Sequence, residues 1–357
     1  MTERYPPMPP RNPNPPYKRI ATEEAWLPPD MMALFLKEIE EKTINDPGFQ
    51  SLWGFFAGKS EKAKAHSRRI VTLGEERIAE MDASGIDMQV VSLTAPGVQL
   101  FDPATATALA ISANDQLAEG IARYPDRYVG LAAFSPLDPD NAAKELERGV
   151  KKLGLRGGIL NSHTLGTYLD DERYWPVFEA AEALDVPIYL HPNTLPAQMI
   201  EPFLKRGLDA AVYGFACETG LHALRLVVAG LFDRFPKLQI VLGHCGEALP
   251  YWLYRIDYMH GHISVTGRYP HVGPLKRRAW DYLCDNFYYT SSGIGWAPPI
   301  KFIQEVVGVE RMLYAMDYPW QFVPEEVGAL DAMDISDEAK KAFFETNARK
   351  LFKIDLD

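Results

Sequence analysis

Short β-branched, apolar runs recur along the whole chain, and reactive polar residues stand at their C-terminal ends. Eight such runs read as strands: 19–23, 87–94, 128–134, 155–161, 187–191, 239–244, 286–292 and 312–317. Between them the apolar residues take a helical spacing. Pro103 to Tyr124 carries Leu109, Ile111, Leu117 and Ile121 among alanines and stops at Pro125. Asn141 to Leu153 is followed by Gly154, a common helix stop. Tyr174–Leu184, Glu218–Phe235, Glu247–His260, Pro299–Val307 and Ser336–Phe352 complete the set. Alternating strands and helices imply a parallel sheet, and eight repeats allow it to close. The expected fold is therefore α/β, a (β/α)8 TIM barrel. An open doubly wound sheet is the rival, but no glycine-rich phosphate loop follows the first strand.

Two insertions and one arm interrupt the repeat. Residues 1–17 hold Pro6, Pro7, Pro9, Pro10, Pro13, Pro15 and Pro16. Such a run favours extended polyproline conformations. It is expected either to be disordered or to pack along a neighbouring subunit. Residues 18–357 read as a single barrel domain with a helical insertion, 27–80, after the first strand. Within it Met31–Lys42 and Glu61–Asp82 read as helices, and the aromatic cluster Ser51-Leu-Trp-Gly-Phe-Phe56 as a loop between them. Residues 192–217 form a second long connection. Long loops at the C-terminal face of a barrel build substrate pockets.

Composition narrows the function. With 357 residues, 47% hydrophobic and 24% charged, the chain can bury one large core. A net charge of −11 argues against nucleic-acid binding, which needs a basic surface. No apolar stretch reaches membrane-spanning length, so no membrane partner is expected. Cys217, Cys245 and Cys284 lack paired spacing, which suits reduced thiols and a cytoplasmic location. Cys245 adjoins His244 and raises nucleophilic catalysis as an option, but no second base is placed to activate it.

Glu23, His191 and Asp317 close the first, fifth and eighth strands, and barrel strand ends converge on one mouth. Singly, each has a plain reading: a strand-end carboxylate is often a cap, and a lone histidine is often a hydrogen-bonded core residue. Jointly they make a three-ligand set with open positions, the arrangement of a catalytic metal. Oxygen and nitrogen ligands without thiolate suit Mn²⁺ or Zn²⁺, and the carboxylate majority favours Mn²⁺. His244-Cys-Gly-Glu247 closes the sixth strand, with Glu247 spaced to orient the imidazole or simply to sit in a first helical turn. His163 and His222 are weaker candidates, with a structural role favoured for each.

These stretches resemble the amidohydrolase-superfamily decarboxylases, the branch with γ-resorcylate, aminocarboxymuconate-semialdehyde and 5-carboxyvanillate decarboxylases, the last type being most similar. The matching segments are Ile20-Ala-Thr-Glu-Glu-Ala25, Ser51-Leu-Trp-Gly-Phe55, Leu160-Asn-Ser-His-Thr164, Gly243 to Arg255, Met316-Asp-Tyr-Pro319 and Thr346-Asn-Ala348. The resemblance implies a metal-dependent hydrolase type of barrel and one divalent metal per subunit on Glu23, His191 and Asp317. It implies Asp317 as the acid that protonates the ring, assisted by His244 and Glu247. Where most superfamily members open with His-x-His, this chain has Glu23-Glu24-Ala25, which fits a mononuclear site. The family's substrate-holding Arg and Tyr correspond to Lys62 and Trp320. Trp53, Phe55 and Trp320 are expected to border the substrate ring, and Lys62 to pair with a remote anionic group or to be a plain solvated charge. Phe215 and Arg255 complete the candidate substrate contacts. The expected reaction is non-oxidative decarboxylation of an ortho-hydroxybenzoate by a homodimer or homotetramer. The alternative is a metal-dependent hydrolase or hydratase.

Overall fold

A computed structural model describes residues 8–58 and 60–356. The eight expected places hold nine strand segments: β1 Ile20–Trp26, β2 Met88–Leu93, β3 Tyr128–Gly130, β4 Ala132–Ala133, β5 Gly158–Asn161, β6 Ile188–His191, β7 Ile240–Leu242, β8 Phe287–Thr290 and β9 Met312–Leu313. Sequential neighbours pair in parallel within the runs β1–β3 and β4–β9. β3 and β4 are halves of one strand interrupted at Leu131. The Leu131 N–H bonds Val91 on one side and the Ala132 N–H bonds Gly157 on the other. At the remaining gap, the Thr22 N–H and hydroxyl both reach the Tyr314 carbonyl, at 3.0 and 2.8 Å. That joins the first strand to the last and closes the barrel.

The period of two along each strand sorts the core. Val90, Ala133, Ile159, Tyr189, Val241, Tyr288 and Leu313 fall in one buried cluster, and the alternate residues Ala132, Leu160, Leu190, Leu242, Tyr289 and Met312 in another. The second cluster takes in Leu146, Phe178, Leu226 and Ile303 from the surrounding helices. Thus each strand packs its outward side chains against helices while its inward ones fill the barrel.

Several expected boundaries move. The aromatic cluster is not a loop: Pro47–Gly54 is helical, started by the Asp46 side chain on the Phe49 N–H and by Pro47 in its first turn. The expected helix 61–82 breaks into Glu61–Ile70 and Glu75–Ser84, with Thr72 and Gly74 at the interruption. The helix expected over 218–235 runs from Gly214 to Val228, and Gly230, at φ 79°, separates it from Leu231–Arg234. The helix expected at Glu247 starts at Leu249 and reaches Ser264.

Residues 8–17 of the arm lie against the chain's own barrel; the first seven fall outside the described residues. One carboxylate holds them. Asp331 accepts from the Asn12 N–H at 2.7 Å, the Tyr17 hydroxyl at 2.9 Å and the Arg19 guanidinium at 2.6 Å. Tyr17 also stacks on Phe344 at 4.9 Å. Arg19 is only 2% exposed, and Asp331 is its ion-pair partner at 2.6 Å. Asp331→Ala is therefore expected to cost about 3–5 kcal/mol of unfolding free energy, the usual cost of stranding a buried charge. Urea denaturation measures it, and limited proteolysis should cut residues 11–17 faster. Unchanged stability and cleavage would place the anchor elsewhere.

Candidate active site

The reactive residues do converge at the C-terminal mouth, though not all from strand ends. His191 is the last residue of β6. Glu23 lies inside β1, which continues to Trp26, at a register shift between Ala21 and Glu24. Such a bulge re-aims a side chain. His244 lies just beyond β7 at φ 49°, and Asp317 lies beyond β9 at φ 73°. Both hold left-handed backbone that costs free energy for a residue with a Cβ, a strain typical of functional sites.

Glu23 is the centre of the cluster. Its Oε2 accepts from the Tyr189 hydroxyl and, at 3.1 Å, from the Thr290 hydroxyl. Its Oε1 is buried without a hydrogen-bond partner. That oxygen faces His191 Nε2 at 3.5 Å and His244 Nε2 at 3.7 Å. The His191 Nδ1 lies 2.8 Å from the Pro192 carbonyl, which fixes the proton there and leaves Nε2 as a lone pair toward Glu23. His244 Nδ1 is 2.7 Å from Glu247 Oε1, and its Nε2 is 4.0 Å from Asp317 Oδ2. Gly243 gives Glu23 room: a Cβ there would stand 2.6 Å from Oε2.

The electrostatics ask for a cation. Burial and the Glu23 charge hold the Asp317 carboxyl well above the usual carboxylate range, against the pull of His244. Burial also keeps His191 below its ordinary value, so it is neutral, as a metal ligand must be. For His244 burial works downward, yet Glu247, Glu23 and Asp317 raise it to about 10. A buried oxygen with no donor, opposite an imidazole lone pair, is costly unless a positive charge satisfies both. Among the described residues, no three His, Cys, Asp or Glu side chains stand close enough together to hold a metal ion as they are placed. The donor chemistry nonetheless fits a divalent ion, because oxygen and nitrogen donors face one another with nothing bonded between them. Burial raises the Cys245 thiol to about 12, which removes it as a nucleophile.

The other sequence candidates separate clearly. His222 accepts the Leu169 N–H on Nε2 and donates from Nδ1 to Ser162, whose hydroxyl donates to Glu218 at 2.8 Å. His163 bonds the Thr194 carbonyl at 2.8 Å. Both are structural. Trp320 is half-buried, with its indole N–H on Thr94 at 3.0 Å. Trp53 corrects an expectation: fully buried, it donates to the Ala95 carbonyl and packs on Phe35, Phe56 and Trp320. It thus backs the wall rather than offering a free face. Phe55 is exposed beside His66, and Lys62 is exposed one turn before His66 on the helix Glu61–Ile70. Phe215 is half-buried at the start of Gly214–Val228, and Arg255 is exposed on Leu249–Ser264. Sequence reasoning missed Tyr189 and Thr290, the two hydroxyl donors to Glu23. Tyr189 was findable, since it sits two residues before His191 and so shares its inward face.

A cavity of about 740 Å³ adjoins the cluster, bounded by Gly293, Trp296, Gln321 and Glu326 and by Met8 and Pro9 of the arm. Gly293 touches the site directly, as a Cβ there would stand 3.4 Å from Asp317 Oδ2. A larger cavity, about 1080 Å³, surrounds Lys18, Asp87 and Arg349 at the strands' N-terminal side, away from the reactive residues.

Comparison with known proteins places this geometry. A family profile described as amidohydrolase matches residues 61–354. The γ-resorcylate decarboxylase of Rhizobium sp. is 37% identical over 325 residues, covering 89% of this chain and 98% of its own. The crystal structure of 5-carboxyvanillate decarboxylase from Novosphingobium aromaticivorans, with manganese and 4-hydroxy-3-methoxy-5-nitrobenzoic acid, is 50% identical at a TM-score of 0.93, covering 95% of this chain and 97% of that one. The dihydroxybenzoic acid decarboxylase of Polaromonas sp., with manganese and the inhibitor 2-nitroresorcinol, is 33% identical at a TM-score of 0.82, covering 94% and 97%.

Removing a partner of Glu23 should loosen the cluster. Tyr189→Phe is expected to weaken Mn²⁺ binding by about 10–100-fold, the usual effect of losing a ligand's hydrogen-bond support. Titration followed by the electron paramagnetic signal of free Mn²⁺ measures it. Equal affinity in variant and parent would mean that Thr290 alone orients Glu23.

Proposed function

We propose that this chain, which belongs to the amidohydrolase family, decarboxylates a 5-carboxyvanillate-like ortho-hydroxybenzoate at the cluster of Glu23, His191, His244 and Asp317. Its class is plain: it is a carboxy-lyase that removes CO2 from aromatic acids without oxidation, with a divalent metal, manganese, as cofactor. The observation that carries the reading of the site is the unpartnered Glu23 Oε1 facing two imidazoles beside a carboxyl group.

Glu23, His191 and Asp317 are the residues assigned to hold the metal. When bound, it supplies Lewis-acid stabilisation for the charge that develops on the phenol and carboxylate oxygens. A benzene ring accepts the electron pair of its C–CO2 bond poorly. An ortho phenolate makes the carboxyl-bearing carbon basic, so a proton can add there and dearomatise the ring. Asp317 is assigned to deliver that proton. The C–CO2 bond then breaks, its electron pair restores the aromatic ring, and CO2 leaves. His244 is held by Glu247 through Nδ1, which leaves its Nε2 proton beside Asp317 and the substrate phenol. Trp320, half-buried and braced by Trp53 and Phe56, forms the apolar wall that borders the ring. Lys62, exposed near that wall, is assigned to a second anionic group remote from the reacting carboxylate.

The test is direct. Mn²⁺-loaded protein given 5-carboxyvanillate in D2O should release one CO2 per turnover and place one deuterium at the vacated ring carbon. Asp317→Asn should lose about 10²–10⁴-fold in kcat, the scale of a positioned proton donor. Lys62→Met should raise KM for that dianion and leave a monocarboxylate unchanged. Hydrolysis of aryl esters with no CO2 from any ortho-hydroxybenzoate would overturn the reading in favour of a hydrolase.

The assembly is assigned to a homo-oligomer built on the helix Leu249–Ser264. Tyr251, Trp252, Tyr254, Tyr258 and Met259 are all exposed along it, an apolar patch unlike ordinary surface and of the aromatic type that subunit cores use. Arg255 lies within the same patch, so its assigned contact with substrate would be made across the interface. Light scattering at micromolar concentration should give a dimer or tetramer, and Trp252→Glu with Tyr254→Glu should give monomers. A monomeric parent protein would rule the assembly out.

A further inference from the structure

We propose that Glu24 is a positioning residue for Asp317: its carboxylate grips the chain on both sides of that residue and sets where the Asp317 carboxyl stands. Glu24 is fully buried beside Glu23. Its Oε1 accepts the Met316 N–H at 3.0 Å and its Oε2 accepts the Tyr318 N–H at 3.2 Å. These two residues flank Asp317. One side chain therefore bonds the peptide groups immediately before and after the site's acid.

The surrounding backbone shows why such a grip is needed. β9 ends at Leu313, so no sheet ladder reaches Asp317. Asp317 also stands at φ 73°, a conformation that a residue with a Cβ leaves unless its neighbours are held. Beyond Glu24, the main-chain tie from β1 to this turn is the Ala25 N–H on the Tyr318 carbonyl at 2.7 Å. On the turn's own side, the Gln321 N–H bonds the Asp317 carbonyl at 2.8 Å.

The grip is itself braced. Gln89 donates its amide to Glu24 Oε2 at 3.3 Å and accepts Arg77 Nε at 2.7 Å. Arg77, also fully buried, donates to the Ala25 carbonyl at 2.9 Å and lies over the Tyr318 ring at 4.5 Å from its centre. The guanidinium thus supplies the counter-charge for Glu24 and presses on the residue after Asp317. The bulge in β1 ties this to the site, because it brings Glu23 and Glu24 together at one irregular step. Glu23 enters the cluster directly, while Glu24 reaches round to hold the opposite side of it.

This inference rests on the reading of Asp317 as metal ligand and proton donor, and the experiment separates the two. Mn²⁺ affinity is measured in the parent protein, Glu24→Gln, Asp317→Asn and the double variant, with kcat, KM and thermal stability recorded alongside. Gln keeps the size of Glu24 but turns an N–H₂ toward one of the two N–H groups. Glu24→Gln is expected to weaken Mn²⁺ binding by about tenfold and lower kcat by about 10–100-fold, the scale of a misplaced reacting group. KM should stay within about twofold. In the Asp317→Asn background the effect of Glu24→Gln on Mn²⁺ affinity should nearly vanish, as coupled residues are non-additive. Undiminished effects in both backgrounds, or a fall in stability with affinity and kcat intact, would overturn the positioning role. Asp317→Asn with unchanged affinity and turnover would instead overturn the reading of the site. If Glu24→Gln does not fold, Glu24→Asp, which keeps the charge but is too short to reach both N–H groups, takes its place with the same expectations.

Discussion

Four carboxylates crowd the C-terminal mouth of this barrel, and their mutual repulsion in a poorly solvated space governs how everything around them is arranged. Two of them are met by groups of the protein itself. Glu24 is met by two backbone N–H groups, an amide and the charge of Arg77, although burial still raises its pKa to about 8. Glu247 is met by the imidazole of His244. Glu23 has two hydroxyl donors, but both are on one oxygen. Its second oxygen and the Asp317 carboxyl have no such partner, and the excess negative charge gathers between them and His191. Burial and the adjacent Glu23 charge together hold the Asp317 carboxyl above the usual carboxylate range. That residual negative charge, on oxygens without hydrogen-bond donors, is the feature on which the proposed divalent-metal site rests.

The barrel was legible because its strands obey simple periods. All eight strand positions could be placed from β-branched runs, and the mouth followed from reactive residues at their ends. What escaped were departures from periodicity. The bulge at Ala21 to Glu24 leaves no trace in composition, so β1 read as ending at Glu23, whereas it runs to Trp26. Asp317 was read as a strand residue, although the ladder stops at Leu313 and side-chain bonds take over. The helices expected at 61–82 and 218–235 broke near Gly74 and Gly230, where local stop signals outweighed apolar spacing. Tyr189 and Thr290 stayed hidden for another reason. Both are ordinary strand formers; the inward face of Tyr189 follows from its place two residues before His191, but only closure of the barrel brings the two hydroxyls together at Glu23.

The insertion after the first strand builds a stack of aromatic rings behind Trp320. Phe35, Trp53 and Phe56 pack edge to face or stacked, with centroids 4.7 and 4.6 Å from Trp53, and Phe56 then meets Trp320 at 5.2 Å. Only the last of these rings retains appreciable exposure. A rigid aromatic stack behind one accessible indole fixes a flat boundary with little freedom to adapt. Trp320 is at the same time tied to β2's end through Thr94. The orientation of the Trp320 ring is therefore set by residues that are themselves buried.

The arm fastened by Asp331 gives the molecule a polarity useful at the bench. Following the chain back from β1, residues 17 to 8 pass from the strands' N-terminal side toward the cavity bordered by Gly293 and Gln321, where Met8 and Pro9 form part of the wall. Asp355 and Leu356, in contrast, border the cavity at the barrel's other side. The two described ends of the polypeptide thus open on opposite faces. Coupling the protein to a bead or surface through its C-terminus would turn the catalytic mouth outward, into the flow of substrate, while an attachment made through the arm would turn that mouth toward the support.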